Sequence, residues 1–266
     1  MSPPGRPKGD CRAQHEGTPA TREIHLLCAG AVQGLVEAVS PRWLARAGVA
    51  LQARFGAVGA MQEALASGAP CDLLIVTEAM LGGLSDAGAI DAAAMAPVGR
   101  VRTGVAARAG AALPRVDSPE SLKAALLAAP AVYLPDLEKS TAGAHLARVL
   151  DRLGVRDALM PRLAVFANGA AAMQALAELG APGAIGCTQV TEILRTPGLA
   201  LAGTLPEPLG LATVYCAGVA TAARQPALAT ALMALLCGPR SATERRAAGF
   251  EPLDPDPSSL QSPHVA

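Results

Sequence analysis

The side chains suited to chemistry are few, and they lie in short polar breaks between long runs of Ala, Leu and Val. Ser140 and Thr141 stand directly before a helical pattern whose first turn carries Gly143 and His145. A hydroxyl in that place caps the helix, and the same free N–H groups and positive dipole end attract an anion, so both uses account for the residues. His145 sits where a helix start favours a neutral imidazole; beside a cleft such a ring is a base for a 1,3-proton shift, and otherwise it is a half-exposed helix residue. Arg100 opens a strand-like run. Its planar fork matches a carboxylate, yet an arginine at a strand start is equally a surface residue, and Arg102 offers the same choice. Gln189 and Glu192 follow another apolar run and both read as lining the cleft, Glu192 as a hinge or lobe contact rather than a base. His15 and His264 fall in the tails and His25 in a strand, so neither a triad nor a metal cluster is supported. The segment 30–34 follows a strand and opens a helix but lacks the dinucleotide glycine spacing, and no Walker sequence occurs. No metal and no cofactor is expected.

The elements that must position these residues alternate in type. Residues 24–29 read as a strand, with a turn at 30–34 into a helix carrying Leu35, Val39 and Trp43 on one face; Ser40-Pro41 marks a kink or the start of a second helical segment, and Gly48 ends it. Residues 49–55 are a second strand. The organising stretch is 62–78: Met61, Leu65 and Ala69 at helical spacing, Gly68 as a stop, then an uninterrupted apolar strand over 71–76. Such a strand belongs in a parallel sheet covered on both faces, where ligands bind beyond the strand carboxyl ends. A helix over 80–87 ends at Gly88. Residues 98–107 and 211–220 are two further strands. Between them lie a helix started by Ser118 and Pro119, a strand over 131–134, a helix over 142–153 ended by Gly154 and a strand over 163–166. A helix over 170–179 capped by Asn168 and a strand over 184–187 complete that section. A helix over 226–236 ends at Gly238, and Ser241 caps a last short helix ended by Gly249.

Composition sets limits on partners. The chain has 266 residues, formal net charge +0, 51% hydrophobic residues and 2% aromatic residues, enough for two lobes with Ala/Leu/Val cores. Zero net charge and so few rings argue against nucleic acid. The six cysteines are scattered in apolar runs without metal or redox spacing and read as small buried hydrophobes, a pattern that fits a reducing compartment. Met61, Met80, Met160, Met173 and Met233 are dispersed core fillers. Residues 1–23 form a disordered N-terminal segment without an apolar signal region, 253–266 a disordered tail, and no run is long enough to span a membrane. As written the chain reads as cytoplasmic; a misassigned start or a removed signal would make it periplasmic.

Leu65-Ala-Ser-Gly-Ala-Pro-Cys-Asp72 before an apolar strand, with the loop at residues 55–59, resembles the periplasmic molybdate-binding proteins, and the order of elements over 24–252 fits that family. The resemblance implies an α/β fold of the two-lobed type 2 periplasmic-binding class, with mixed sheets, helices on both faces and a cleft between the lobes. Lobe I would be 24–99 plus 214–252 and lobe II 100–213, the strands 98–107 and 211–220 acting as the hinge. It further implies that four loops meet at the cleft, at residues 29–32, 57–61, 140–144 and 188–192, around a small anionic ligand. The implied ligand-binding set is Ala29, Gly30, Ala31, Ala57, Val58, Arg100, Ser140, Thr141, Gly143, His145 and Gln189. Family members hold a tetrahedral oxyanion with serine hydroxyls in the first two loops, where this chain has Ala29, Gly30, Ala31, Ala57 and Val58. The second half resembles a subgroup that includes aconitate isomerase, through Arg100, Gly104-Val-Ala106, Arg108-Ala-Gly110, Tyr133, Ser140-Thr-Ala-Gly-Ala-His145, Arg152-Leu-Gly154, Gly186-Cys-Thr-Gln-Val-Thr-Glu-Ile193 and Gly203-Thr-Leu-Pro206. The resemblance thus implies a monomeric solute-binding protein for an oxyanion or organic carboxylate, serving an ABC permease. The alternative is an isomerase of a small tricarboxylate, with His145 as its candidate base.

Overall fold

The computed structural model describes residues 22–253. In chain order the first part comprises β1 (Arg22–Ala29), α1 (Gly30–Ala47), β2 (Val49–Gly56), α2 (Val58–Ala66), β3 (Leu73–Thr77), α3 (Glu78–Asp86) and the long β4 (Ile90–Arg108). There follow α4 (Pro119–Ala128), β5 (Val132–Pro135), α5 (Thr141–Arg152), α6 (Arg156–Leu159), β6 (Leu163–Phe166), α7 (Gly169–Leu179), β7 (Ile185–Gln189), α8 (Val190–Arg195) and β8 (Leu199–Thr204). The chain returns through β9 (Ala212–Ala220), α9 (Pro226–Cys237) and α10 (Ala242–Ala247).

Hydrogen-bonded strand order is β2-β1-β3-β9-β4-β7-β5-β6, with β8 added to β4. β1 runs parallel to β2 and β3, while β9 is antiparallel to both β3 and β4. The two-lobed mixed α/β expectation therefore holds, and β4 is the shared element. Its first part pairs with β9, up to Arg102 against Ala212, and from Thr103 onward it pairs with β7 and β8.

The cores divide accordingly. One cluster joins Ile24, Leu26, Leu74, Leu81, Leu232 and Phe250 around the first group of strands. In the second group, neighbouring residues go to opposite faces: Val105, Val132, Leu134 and Ile185 to one cluster, Ala106, Tyr133 and Ala184 to the other. That period-two alternation is what a sheet covered on both faces requires.

Local differences from the sequence expectation have physical reasons. Gly30 already lies in α1, so β1 passes into the helix without a turn. Pro41 lies inside an unbroken helix, and the buried Ser40 donates its Oγ–H to the Val36 carbonyl at 2.7 Å within that helix. Residues 188–192 are not a loop: Thr188 and Gln189 end β7 and Val190 begins α8. Ser241 precedes α10 but donates to the Leu235 carbonyl at 2.6 Å instead of capping. Arg22 and Glu23 belong to β1, whereas the remainder of the expected N-terminal segment and residues 254–266 lie outside the described residues. Ser118 forms the expected cap, in a reciprocal capping box with Ser121.

Candidate functional site

A cleft of about 20 Å3 is lined by Ala29, Gly30 and Ala31, by Gly56, Ala57 and Val58, and by Ser140, Thr141 and Ala142. Asn168, Gly169, Gln189, Glu192 and Tyr215 complete its wall. These are the starts of α1, α2, α5 and α7, each following a strand or a short loop beyond one. Helix starts leave N–H groups without intrahelical partners and carry the positive end of the dipole, so a small anion is the natural occupant. No Lys, Arg or His is among the lining residues.

The capping chemistry is uneven. Ser140 Oγ accepts from Gly143 N at 3.4 Å and Asn168 Oδ1 accepts from Ala171 N at 2.9 Å, so α5 and α7 are capped. Ala29 and Ala57 have no side chain able to cap α1 and α2. Their N-terminal N–H groups are left to other acceptors.

Polar groups on the wall are buried. Gln189 is 2% exposed and its Nε2 donates to Thr213 Oγ1 at 3.4 Å, while its Oε1 has no hydrogen-bond partner among the described residues. An unmet buried acceptor costs about 1–3 kcal/mol, a cost that only a donor such as a water or a ligand hydroxyl removes. Glu192 accepts from Thr188 Oγ1 at 2.5 Å. Burial pushes its carboxyl up, opposed by hydrogen bonds from Thr188 and from the Gln189 and Ala170 backbone and by the charge of Arg195. Burial first, and then the negative charge of Glu192, push the Tyr215 phenol far above its ordinary range. Room for Glu192 depends on missing side chains: a Cβ on Gly30 would stand 2.8 Å from Oε1, and one on Gly169 would stand 1.9 Å from Oε2.

The mouth is held shut across the two groups of strands. Gly59 N donates to Lys139 O at 3.1 Å, and Lys139 Nζ pairs with Glu63 at 3.0 Å. A volume of this size suits about one water-sized sphere, so larger ligands require the walls to part.

Of the residues singled out from sequence, Ala29, Gly30, Ala31, Ala57, Val58, Ser140, Thr141 and Gln189 share this cleft. Three others stand apart from its lining. Gly143 packs on the Asp136 carbonyl, where a Cβ would come within 2.0 Å. His145 places Nε2 at 2.8 Å from the Leu209 carbonyl. Arg100 lies on β4, its backbone bridged to Glu251. Arg102 pairs with Glu251 at 2.7 Å. Sequence reasoning missed Gly169 and Tyr215 and saw Asn168 only as a cap. The Asn-Gly step before an Ala-rich helix was the available signal for Asn168 and Gly169, and nothing in the apolar run around Tyr215 marked it.

A larger cavity, about 570 Å3, lies by the amino ends of β1 and β3 and is lined by His25, Asp72 and Arg224 among others. Its buried Asp72 accepts from the backbone N of His25 at 2.7 Å and of Gln225 at 2.8 Å, so both oxygens are engaged in tying segments together. Size alone does not make it the better candidate: the small cleft has convergent helix starts, and the larger cavity has none.

Fold and cleft together define a two-lobed α/β binding protein of the type 2 periplasmic-binding class. The family model of bacterial extracellular solute-binding proteins matches residues 24–251, and the chain belongs to that family. An aconitate isomerase from a Pseudomonas species is 24% identical over 243 residues, covering 88% of this chain and 89% of that protein. Among solved structures, the periplasmic molybdate-binding protein of Azotobacter vinelandii superposes with a TM-score of 0.72 at 19% identity, covering 86% of this chain and 98% of that one. The sulfate-binding protein of Mycobacterium tuberculosis does so with a TM-score of 0.66 at 18% identity, covering 88% of each chain. No helix among the described residues is long and apolar enough to cross a membrane.

Proposed function

We propose that this solute-binding protein holds one small anion, an oxyanion or an organic carboxylate, in the cleft between its lobes and presents it to an ABC permease. The observation that carries the reading is the convergence of the starts of α1, α2, α5 and α7 on one closed cleft. In this reading lobe I is 24–99 plus 214–252, lobe II is 100–213, and β4 and β9 bend where the pairing of β4 changes partner at Arg102 and Thr103. The ligand enters with the lobes apart, and closure sets the Lys139–Glu63 pair across the mouth. Membership of a family described as extracellular supports action outside the inner membrane.

Thermal unfolding against molybdate, tungstate, sulfate, phosphate, citrate and both aconitates tests the reading. A ligand at 100 times its Kd adds about 2.7 kcal/mol, which raises the Tm by about 5–10 °C. A shift with one chemical class names the ligand; no shift with any of them removes the reading.

The second reading, isomerisation of a tricarboxylate, is supported by the aconitate isomerase relative. If it holds, the proton carrier comes from Glu192 or Tyr215, which line the cleft, and not from His145, which faces a backbone carbonyl. Conversion of cis- to trans-aconitate by the purified protein over hours decides it, and unchanged substrate ends it.

A further inference from the structure

The cleft built for an anion contains a carboxyl of its own. Glu192 is 5% exposed and stands at the start of α8, with its side chain between the starts of α1 and α7. Thr188 Oγ–H donates to Oε2, and Oε1 faces Gly30, whose absent side chain leaves that oxygen beside the start of α1. We propose that Glu192 takes up a proton when the anion binds, so that the closed cleft accepts a negative ligand against a neutral carboxyl whose O–H donates to a ligand oxygen. The inference rests on the anion-binding reading above and adds to it the charge state that the site selects.

The reason is the balance of charge in a dry space. Two negative groups within a few ångström of one another in a poorly solvated cavity cannot both stay ionised, and the weaker acid takes the proton. No cation lines the cleft to offset them. On its own helix Arg195 lies near Glu192 but pairs with Glu37 of α1 at 2.8 Å. Tyr215 of β9 and Cys28 of β1 are both pushed far up by burial and stay neutral. From α2, α5 and α7 the lining residues are Val58, Thr141, Ala142 and Gly169, with Ala57, Ser140 and Asn168 ahead of them, none of which titrates. Against the two negative groups stand helix starts, the Thr188 hydroxyl and the charge of Arg195, which Glu37 already shares, and the burial that outweighs them at Glu192 disfavours its ionised form before any ligand arrives. The proton comes from bulk water on closure and returns to it on release.

Sulfate and trans-aconitate serve as probes, because both stay fully ionised above about pH 6 and any change in affinity is then the protein's. Titration calorimetry of the full chain from about pH 6 to about pH 8.5, each point in two buffers of different ionisation enthalpy, reads affinity and proton uptake together. In wild type the affinity should fall toward the alkaline end, approaching tenfold per pH unit, with uptake approaching one proton per ligand. Glu192→Gln keeps the shape without the titration, and its affinity should be flat with pH and exceed that of wild type at the alkaline end. An equal pH slope in the variant, or binding without proton uptake in wild type, overturns the role of Glu192 and leaves the anion cleft standing. If the variant does not fold, the wild-type proton count decides the point by itself. Failure of wild type to bind either probe at any pH overturns the anion cleft, and the proton linkage with it.

Discussion

Ala57→Ser is the substitution whose effect follows most directly from the geometry. Ala57 is the N-cap of α2, with φ −62 and ψ 148, and it makes no side-chain cap. Its carbonyl already accepts from Met61 N at 3.1 Å, so the backbone is set for a serine without rearrangement. The new Oγ would accept from the N–H of Ala60, adding about 1 kcal/mol to the helix, and a Tm rise of about 2–4 °C follows for a chain of this size. Because Ala57 lines the cleft, the hydroxyl also points its proton at the ligand. A hydrogen bond to a charged partner is worth about 1.5–3 kcal/mol, which is about 10- to 150-fold in affinity. Titration calorimetry with molybdate and sulfate reads the second effect, and thermal unfolding without ligand reads the first. A Tm rise of the expected size with unchanged oxyanion affinity would refute the reasoning, because it would mean that the start of α2 is capped but does not face the ligand.

Other substitutions probe the remaining parts. Gly169→Ala puts a Cβ 1.9 Å from Glu192 Oε2 and 2.1 Å from Thr188 Oγ1, so a loss of about 1–3 kcal/mol by thermal unfolding is expected, together with loss of ligand-induced stabilisation. Lys139→Ala removes a half-exposed ion pair with Glu63 and should leave the Tm within about 2 °C, while stopped-flow measurements show anion release a few-fold faster, an effect that fades at high salt. Leu74→Ala empties a fully buried position of β3 and should cost about 2–5 kcal/mol in denaturant unfolding. The folded pKa of Glu192 is raised, so its contribution to stability is complete below its unfolded value and is lost as pH rises through the folded one. The Tm of wild type relative to Glu192→Gln should therefore fall as pH rises, and a flat difference would contradict the raised value.

Most of the fold was legible because the apolar runs are long and their breaks carry specific turn and cap chemistry. Gly48 and Gly154 take positive φ after α1 and α5, and Ser118, Ser140 and Asn168 accept from the backbone where a capping residue should. β8 was missed because its Leu-Ala-Leu-Ala-Gly-Thr sequence has little β-propensity and is held mainly by pairing to β4. α8 was missed for a similar reason: its start lies directly on the end of β7, with no polar break between Gln189 and Val190 to mark the change. At the cleft, three of the four loops expected from the family resemblance, those at residues 29–32, 57–61 and 140–144, do meet, as helix starts. What sequence spacing does not carry is which side chains face inward. Glu192 reads as a cleft residue from sequence and does line the cleft, but the two distant glycines that leave room for its carboxyl, Gly30 and Gly169, carry no sequence mark of that role.

The most direct measurement is a crystal structure of the protein grown with selenate, and in a parallel crystal with tungstate, in which the anomalous signal places the anion without assumption. The account predicts one strong peak in the cleft, within hydrogen-bond distance of backbone N–H groups at the starts of α1, α2, α5 and α7 and beside Gln189. A peak instead in the larger cavity near His25 and Arg224, with none at the helix starts, would contradict it.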